Sequence, residues 1–331
     1  MKNVITQDLI MQVLNAAERA AIAAARRNGY GDKVTADQDA TAKMREGLND
    51  IDMDGRIVIG EGERDDCDET SMLPAGEEVG RGGVPIDIAV DPLEGTNLCA
   101  MNRPNALSTI AIAPRGSLLF APDTYMWKIA AGPACREEIH IDATPELNVK
   151  AVAEALGKPV EEVNVCILLR DRHKELITAV RKTGARVRLI DDGDVFGALA
   201  AAVPGTGIDL YLGSGGAPEG VLAAAGLKAI GGVFMGKLAF NIDPKGAEKR
   251  VRAEKMSTGL DLDAPLTMSQ LVKGDVVFIA CGVTPGEMIK KGVTFDPSGS
   301  ITVSSIIMDS AVKTVSEITR TYRGDKGIVR F

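Results

Sequence analysis

Histidine is almost missing from this chain: of 331 residues only His140 and His173 carry an imidazole. A nitrogen-rich zinc site is not expected, because such sites draw on His and Cys. Cysteine is sparse as well. Cys67, Cys99, Cys135, Cys166 and Cys281 are odd in number, widely scattered and without CxxC spacing, which argues against a disulfide framework and for a reduced, cytoplasmic setting. No apolar run approaches the length of a membrane span. The opening MKNVITQDLIMQV is broken by polar residues and has no small-residue cleavage site, so it does not read as a secretory leader. Positive charge is in deficit: 38 Lys+Arg against 46 Asp+Glu leave a formal net charge of −8. That balance speaks against a general nucleic-acid binder and requires any anionic ligand to be met by local cations. A GxSxG nucleophile elbow is missing, and the one glycine run lacks both GxGxxG spacing and the GKT end of a P-loop.

What is present is an ordinary globular composition, 45% hydrophobic and 25% charged, long enough for two domains. From Thr6 to Asn28, Leu9, Ile10, Val13, Leu14, Ala17, Ala21 and Ala24 recur at helical spacing, and Gly29 offers a C-cap. Thr35-Ala36-Asp37-Gln38 has the form of a capping box, which predicts a second helix whose buried face runs from Asp37 through Ala40, Met44 and Leu48. Arg56–Ile59 and Ile86–Val90 read as strands ending on Glu61 and Asp91. Leu107–Ala113 and Leu118–Ala121 read as a hairpin. From about residue 145 the rhythm becomes strand, helix, strand: Val163–Leu169, Lys174–Lys182, Arg186–Ile190, Val195–Ala202 and Ile208–Leu212. Val276–Ala280 and Ser300–Ile307 add late strands before an expected closing helix and a basic tail. The division expected is an α+β part over 1–145 and an α/β part over 146–331.

The chemistry concentrates in Asp91-Pro92-Leu93-Glu94-Gly95-Thr96. A strand delivers one carboxylate, a turn brings a second, Gly95 lets the backbone approach a ligand, and Thr96 opens a helix. Carboxylates beside a helix start that favours phosphate imply a metal ion between them. Glu61, Asp37 and Glu219, the last following Gly213-Ser214-Gly215-Gly216, add oxygen donors. Such a set suits Mg²⁺ or Mn²⁺ and the hydrolysis of a phosphate ester. Taken singly, each acid reads more readily as a surface charge or a cap than as a ligand.

Gly60-Glu61-Gly62-Glu63, Asp91-Pro92-Leu93-Glu94-Gly95-Thr96, Asp192-Gly193-Asp194 and Gly215-Gly216-Ala217-Pro218-Glu219-Gly220 together resemble the class II fructose-1,6-bisphosphatases, some of which also act on sedoheptulose 1,7-bisphosphate. The Asp-Pro-Leu-Glu-Gly-Thr element is shared with the wider lithium-sensitive, metal-dependent phosphatases. The resemblance runs, with gaps, from about Ala17 to Gly286. It implies a layered α-β-α-β-α sandwich and a homo-oligomer, a dimer or tetramer. By the same resemblance the metal ligands fall on Asp37, Glu61, Asp91, Glu94 and Glu219, and the catalytic Lys, Asp and Thr on Lys33, Asp65 and Thr96. Substrate contacts fall on Glu94, Gly95, Thr96, Tyr125, Arg170, Asp171, Arg172, Asp192, Gly193, Asp194 and Gly216. Asp171 stands where the family often has Pro.

Two other readings stay open. Asp192-Gly193-Asp194-Val195 after a strand loosely resembles the haloacid-dehalogenase-type phosphatases, in which Asp192 would be a nucleophile forming an aspartyl phosphate. The glycine run Gly213–Gly216 also admits a sugar-phosphate sensor that binds without turnover. His173, set among Arg172 and Lys174, reads as a surface or capping residue.

Overall fold

Thr6 accepts a hydrogen bond from the free N–H of Leu9 at 3.2 Å and opens α1 (Gln7–Ala25), whose buried stripe includes Ile10, Val13, Leu14, Ala17 and Ala21. The second helix starts three residues earlier than expected. Asp32, not Thr35, caps α2 (Lys33–Asn49): its carboxylate accepts from the Thr35 N–H at 3.0 Å and from the Thr35 hydroxyl at 2.6 Å. An ionised Asp caps a helix at least as well as Thr. The buried face therefore begins at Ala36 and runs through Ala40, Met44 and Leu48, and Asp37 stands beside it, half-buried.

The computed structural model describes residues 4–61, 73–136, 138–256 and 259–323. After α2 come β1 (Met53–Ile59), β2 (Glu78–Val79), β3 (Val84–Glu94), α3 (Thr96–Ala100), β4 (Leu107–Pro114) and β5 (Tyr125–Ala131). Next are α4 (Pro145–Leu156), β6 (Asn164–Leu168), α5 (Lys174–Lys182), β7 (Arg186–Ile190), α6 (Asp194–Ala200), β8 (Leu210–Gly216), α7 (Ala217–Ala229) and β9 (Val233–Leu238). The chain then forms α8 (Gly246–Lys255), β10 (Leu266–Thr267), α9 (Met268–Leu271), β11 (Val277–Gly282), β12 (Thr294–Phe295), β13 (Ile301–Asp309) and β14 (Thr314–Tyr322). Helices and mixed sheets place the protein in the α/β class.

Two compact units result, Met1–Leu118 with Gly274–Phe331, and Leu119–Lys273. The sequence division at 145 compares with crossings near 118 and 273. No Pro/Ser-rich linker marks either crossing, and β5 declares its unit only by its partners, β8 and β9.

In the first unit eight strands form one sheet, ordered β12-β13-β11-β4-β3-β1-β2 with β14 paired to β13. α1 packs on α2 and on β3, β4, β11 and β13. Val13, Leu14, Ala17, Ile88, Ile110, Ile279 and Val303 meet in the core between them. Two expectations fail here. The Leu118–Ala121 return strand does not form; β4 pairs instead with β3 and β11, which bury both of its edges. The closing helix is β14: Thr314, Val315, Ile318, Thr319 and Thr321 are β-branched and suit a pleated strand better than a helix.

The second unit holds a six-stranded sheet, β10-β9-β5-β8-β6-β7, in which β6 runs parallel to β7 and β8. α5 and β7 occupy the residues expected of them. Val149 of α4 and Ile177 of α5 pack with Ile129, Val165 and Leu210 on one face. Alternation sends Met126, Lys128 and Tyr211 to the other face, against α6 and α7. β8 runs past the Leu212 end expected of it through Gly213–Gly216, in register with Lys128 down to Tyr125.

Candidate active site

In the first unit the acidic segment extends β3 instead of ending it. Asp91 pairs with Thr109 and Glu94 with Leu107, so three steps on β3 oppose two on β4. This β-bulge re-aims the side chains that follow it. Asp91 Oδ1 accepts from the Leu93 N–H at 3.1 Å. Gly95 then takes the left-handed conformation (φ 79°) and caps α3, which Thr96 begins. A Cβ at Gly95 would lie 2.9 Å from Leu98 Cδ1, and a positive φ disfavours any other residue there. Thr96 is half-buried, whereas Asp91 and Glu94 are buried, at 8% and 4% exposure.

Four carboxylates gather around this bulge. Burial first, and then the charges of Glu94, Glu61 and Asp37, push the Asp91 carboxyl well above the usual carboxylate range, with a further contribution from its side-chain hydrogen bond to Glu94. Glu61 is set by a bridge to Leu73, with backbone bonds of 3.0 and 3.1 Å in the two directions. Lys33, exposed, lies one helical turn before Asp37 on α2. Asp65 falls outside the described residues. Among the described residues, no group of three or more His, Cys, Asp or Glu side chains is arranged so that it could hold a metal ion. The donor chemistry nonetheless fits a hard divalent cation: the donors are all carboxylate oxygens, and their mutual repulsion is what such an ion relieves.

In the second unit the expected substrate residues cluster at the ends of β6, β7 and β8. The Arg172 guanidinium lies 4.7 Å from the centre of the Tyr125 ring, and Tyr125 pairs in register with Gly216. Arg170 Nη1 donates to the carbonyls of Leu169 (3.0 Å) and Asp191 (2.5 Å), and its Nη2 contacts Asp192 Oδ1 at 3.3 Å. Arg170 thereby pins the loop that presents Asp192 and the left-handed Gly193. Asp171 stands apart, exposed and paired with Lys174 at 2.9 Å. Asp194 begins α6 and forms a buried ion pair with Lys128 of β5. A Cβ on Gly215 would sit 1.8 Å from Asp194 Oδ2, and one on Gly216 would sit 1.9 Å from Glu219 Oε2. The glycine run is bare because these two carboxylates occupy the space above it.

Lys128 went unread in the sequence, and Ser214 and His173 were given no part in this cluster. His173 stands at the N-cap position of α5, though its side chain makes no cap bond, and it is fully buried instead of lying at the surface, with Nδ1 2.8 Å from Leu168 O and Nε2 2.9 Å from Ser214 Oγ. Its basic neighbours suggested solvent; the β8 strand that covers it is distant in sequence, and no local signal announced it.

Residues 7–322 match the family described as bacterial fructose-1,6-bisphosphatase, glpX-encoded. The chain belongs to that family. Among its relatives is the D-fructose 1,6-bisphosphatase class 2/sedoheptulose 1,7-bisphosphatase of Thermosynechococcus vestitus, 44% identical over 319 residues that span 90% of this chain and 91% of the relative. The protein of the same description from Gloeobacter violaceus is 42% identical over 326 residues, 92% of this chain and 93% of the relative. Another, from Synechococcus elongatus, is 42% identical over 320 residues, covering 90% and 91%. Family membership therefore extends through both units. No helix among the described residues is long and apolar enough to cross a membrane.

Proposed function

We propose that this protein is a divalent-metal-dependent phosphatase that hydrolyses the C1 phosphate of fructose 1,6-bisphosphate, and that sedoheptulose 1,7-bisphosphate is a second substrate. The observation that carries this reading is the gathering of Asp37, Glu61 and Glu94 around buried Asp91, in a chain that matches a bisphosphatase family over 7–322. Asp37, Glu61, Asp91 and Glu94 are the proposed holders of Mg²⁺ or Mn²⁺. Bound there, the ion supplies Lewis acidity to the phosphoryl oxygens and makes water a better nucleophile.

The protein's own groups do the rest. Thr96, fixed at the first position of α3 by Gly95, orients the attacking water through its hydroxyl. Lys33 brings a cation toward the phosphoryl group, and Asp65 is proposed as the catalytic acid that the family resemblance implies. Arg172 offers a planar donor fork to the phosphate that does not react. Asp192 and the Gly193–Asp194 turn accept sugar hydroxyls, and Tyr125 adds a neutral donor. The active form is proposed to be a cytoplasmic homo-oligomer.

Phosphate release from both bisphosphates, measured with added Mg²⁺ or Mn²⁺, tests the reading. Binding without turnover under either metal sinks it in favour of a sensor. The aspartyl-phosphate alternative makes Asp192 indispensable; here Arg170 pins the Asp191–Asp192 loop, and Asp192→Asn retaining most of kcat, with no trapped phosphoenzyme, excludes that route.

A further inference from the structure

We infer that His173 is a positioning residue for Arg172: through Ser214 it fixes the guanidinium in the attitude that receives the non-reacting phosphate of the sugar. This inference rests on the substrate role proposed above for Arg172.

The geometry assigns each atom a part. Leu168 O can only accept, so the 2.8 Å contact makes His173 Nδ1 the protonated nitrogen of a neutral ring. Nε2 is left with a lone pair, into which the Ser214 N–H donates at 2.9 Å. The Ser214 hydroxyl is also 2.9 Å from Nε2. It accepts from Arg172 Nε at 2.8 Å, while Ser214 O accepts from Arg172 Nη2 at 2.8 Å. The amide, hydroxyl and carbonyl of one serine are thus all committed to the pair Arg172–His173.

The topology explains why an imidazole is needed. β6 pairs with β8 only at Leu210 and Tyr211 and ends at Leu168, so Ser214 has no strand partner on the β8 edge that faces β6. The imidazole supplies the acceptor that a strand would have given to Ser214 N–H. Trp127, whose ring centre lies 5.7 Å from that of His173, packs beside it. Burial is the main influence holding the imidazole neutral, and the nearby Arg172 and Arg170 charges act in the same sense. Arg172 uses Nε and Nη2 in these bonds and rests on the Tyr125 ring, which leaves Nη1 outside the clamp. A fork so held has already given up the rotamer freedom that binding would otherwise remove.

The test is steady-state kinetics on the full-length enzyme with fructose 1,6-bisphosphate and, separately, fructose 1-phosphate, which lacks the distal phosphate. His173→Phe keeps the ring volume and removes both polar nitrogens. It should raise KM for the bisphosphate about tenfold, leave kcat within about twofold, and leave KM for the monophosphate near the wild-type value. His173→Gln, whose Oε1 can accept from Ser214 N–H, should recover most of the loss. Ser214→Ala should shift KM in the same direction, and the His173→Phe/Ser214→Ala double variant should show less than the product of the two effects. Circular dichroism establishes that each variant is folded; if His173→Phe is not, Ser214→Ala decides. The inference is overturned if Arg172→Ala raises KM for the bisphosphate while folded His173→Phe or Ser214→Ala leaves it unchanged. If Arg172→Ala itself leaves KM unchanged, the substrate role fails and this inference falls with it.

Discussion

Glu18 of α1 accepts a hydrogen bond from the Tyr322 hydroxyl of β14, across 304 residues of chain. Arg320 Nη1 donates to the same carboxylate at 2.8 Å, and the Ser305 hydroxyl donates to it at 3.3 Å. Ser305 also contacts Cys281 at 3.2 Å. A fully buried carboxylate thus joins the first helix of its unit to the last three long strands, β11, β13 and β14. Burial pushes the Glu18 carboxyl above its usual value of 4.5, and the bonds from Tyr322, Arg320 and Ser305 only partly oppose it.

That upward shift fixes the sign of a pH effect. Folded Glu18 keeps its proton over a range in which the unfolded chain releases it, so its contribution to stability is present below pH 4.5 and is lost as pH rises through the raised value. Urea midpoints measured from pH 4.5 toward neutrality should show this component declining, and Glu18→Gln should flatten it. An unaltered slope in the Gln variant counts against the assignment. Tyr322→Phe should lower stability by about 1–3 kcal/mol, since a buried carboxylate loses a donor.

Lys128 and Asp194 are both buried and face each other beneath Gly215. Lys128→Met strands the Asp194 charge and should cost about 3–5 kcal/mol in chemical denaturation. Adding Asp194→Asn to that variant should return part of the loss, because no bare charge then remains. A single-variant cost no greater than that of an ordinary surface substitution would show that the pair is solvated.

Thr96→Ala is expected to lower kcat about a hundredfold with little change in KM, since orienting water acts on the transition state and not on substrate capture. An unchanged kcat in a folded variant removes Thr96 from the proposed chemistry.

Chelation with EDTA should abolish turnover, and added Mg²⁺ or Mn²⁺ should restore it. Asp91→Asn removes one negative charge from the four gathered at the bulge and should raise the metal concentration needed for half activation at least tenfold, read from titrations at saturating substrate. Full activity after exhaustive chelation refutes the metal-dependent reading.

Where local pattern and tertiary environment agree, the sequence was readable. Lys174–Lys182 and Arg186–Ile190 formed the helix and strand expected because each carries its own periodicity and faces one core. Glu61 and Glu94 could be found because each stands where an apolar strand runs out, and Asp37 because it lies in the first turns of a helix whose periodicity is plain. β14 was misread because most of its residues are exposed, so no apolar–polar alternation announces a strand. The strand expected to stop at Leu212 runs on to Gly216, because the space at Gly215 is filled by Asp194 of another element, which the glycine run itself does not reveal. The burial of His173, at the N-cap position of α5, was hidden for the same reason. Partners far away in sequence, and not its own neighbours, determine its burial.

The first unit is assembled from both ends of the chain, with the second unit emerging between its halves. During synthesis the N-terminal helices and β1–β4 must therefore wait, with one sheet edge uncovered, until more than 150 intervening residues have been made and β11, β13 and β14 leave the ribosome. A nascent chain stalled before residue 300 should be a ready client for chaperones, whereas the stretch from Leu119 to Lys273 is by then free to fold on its own.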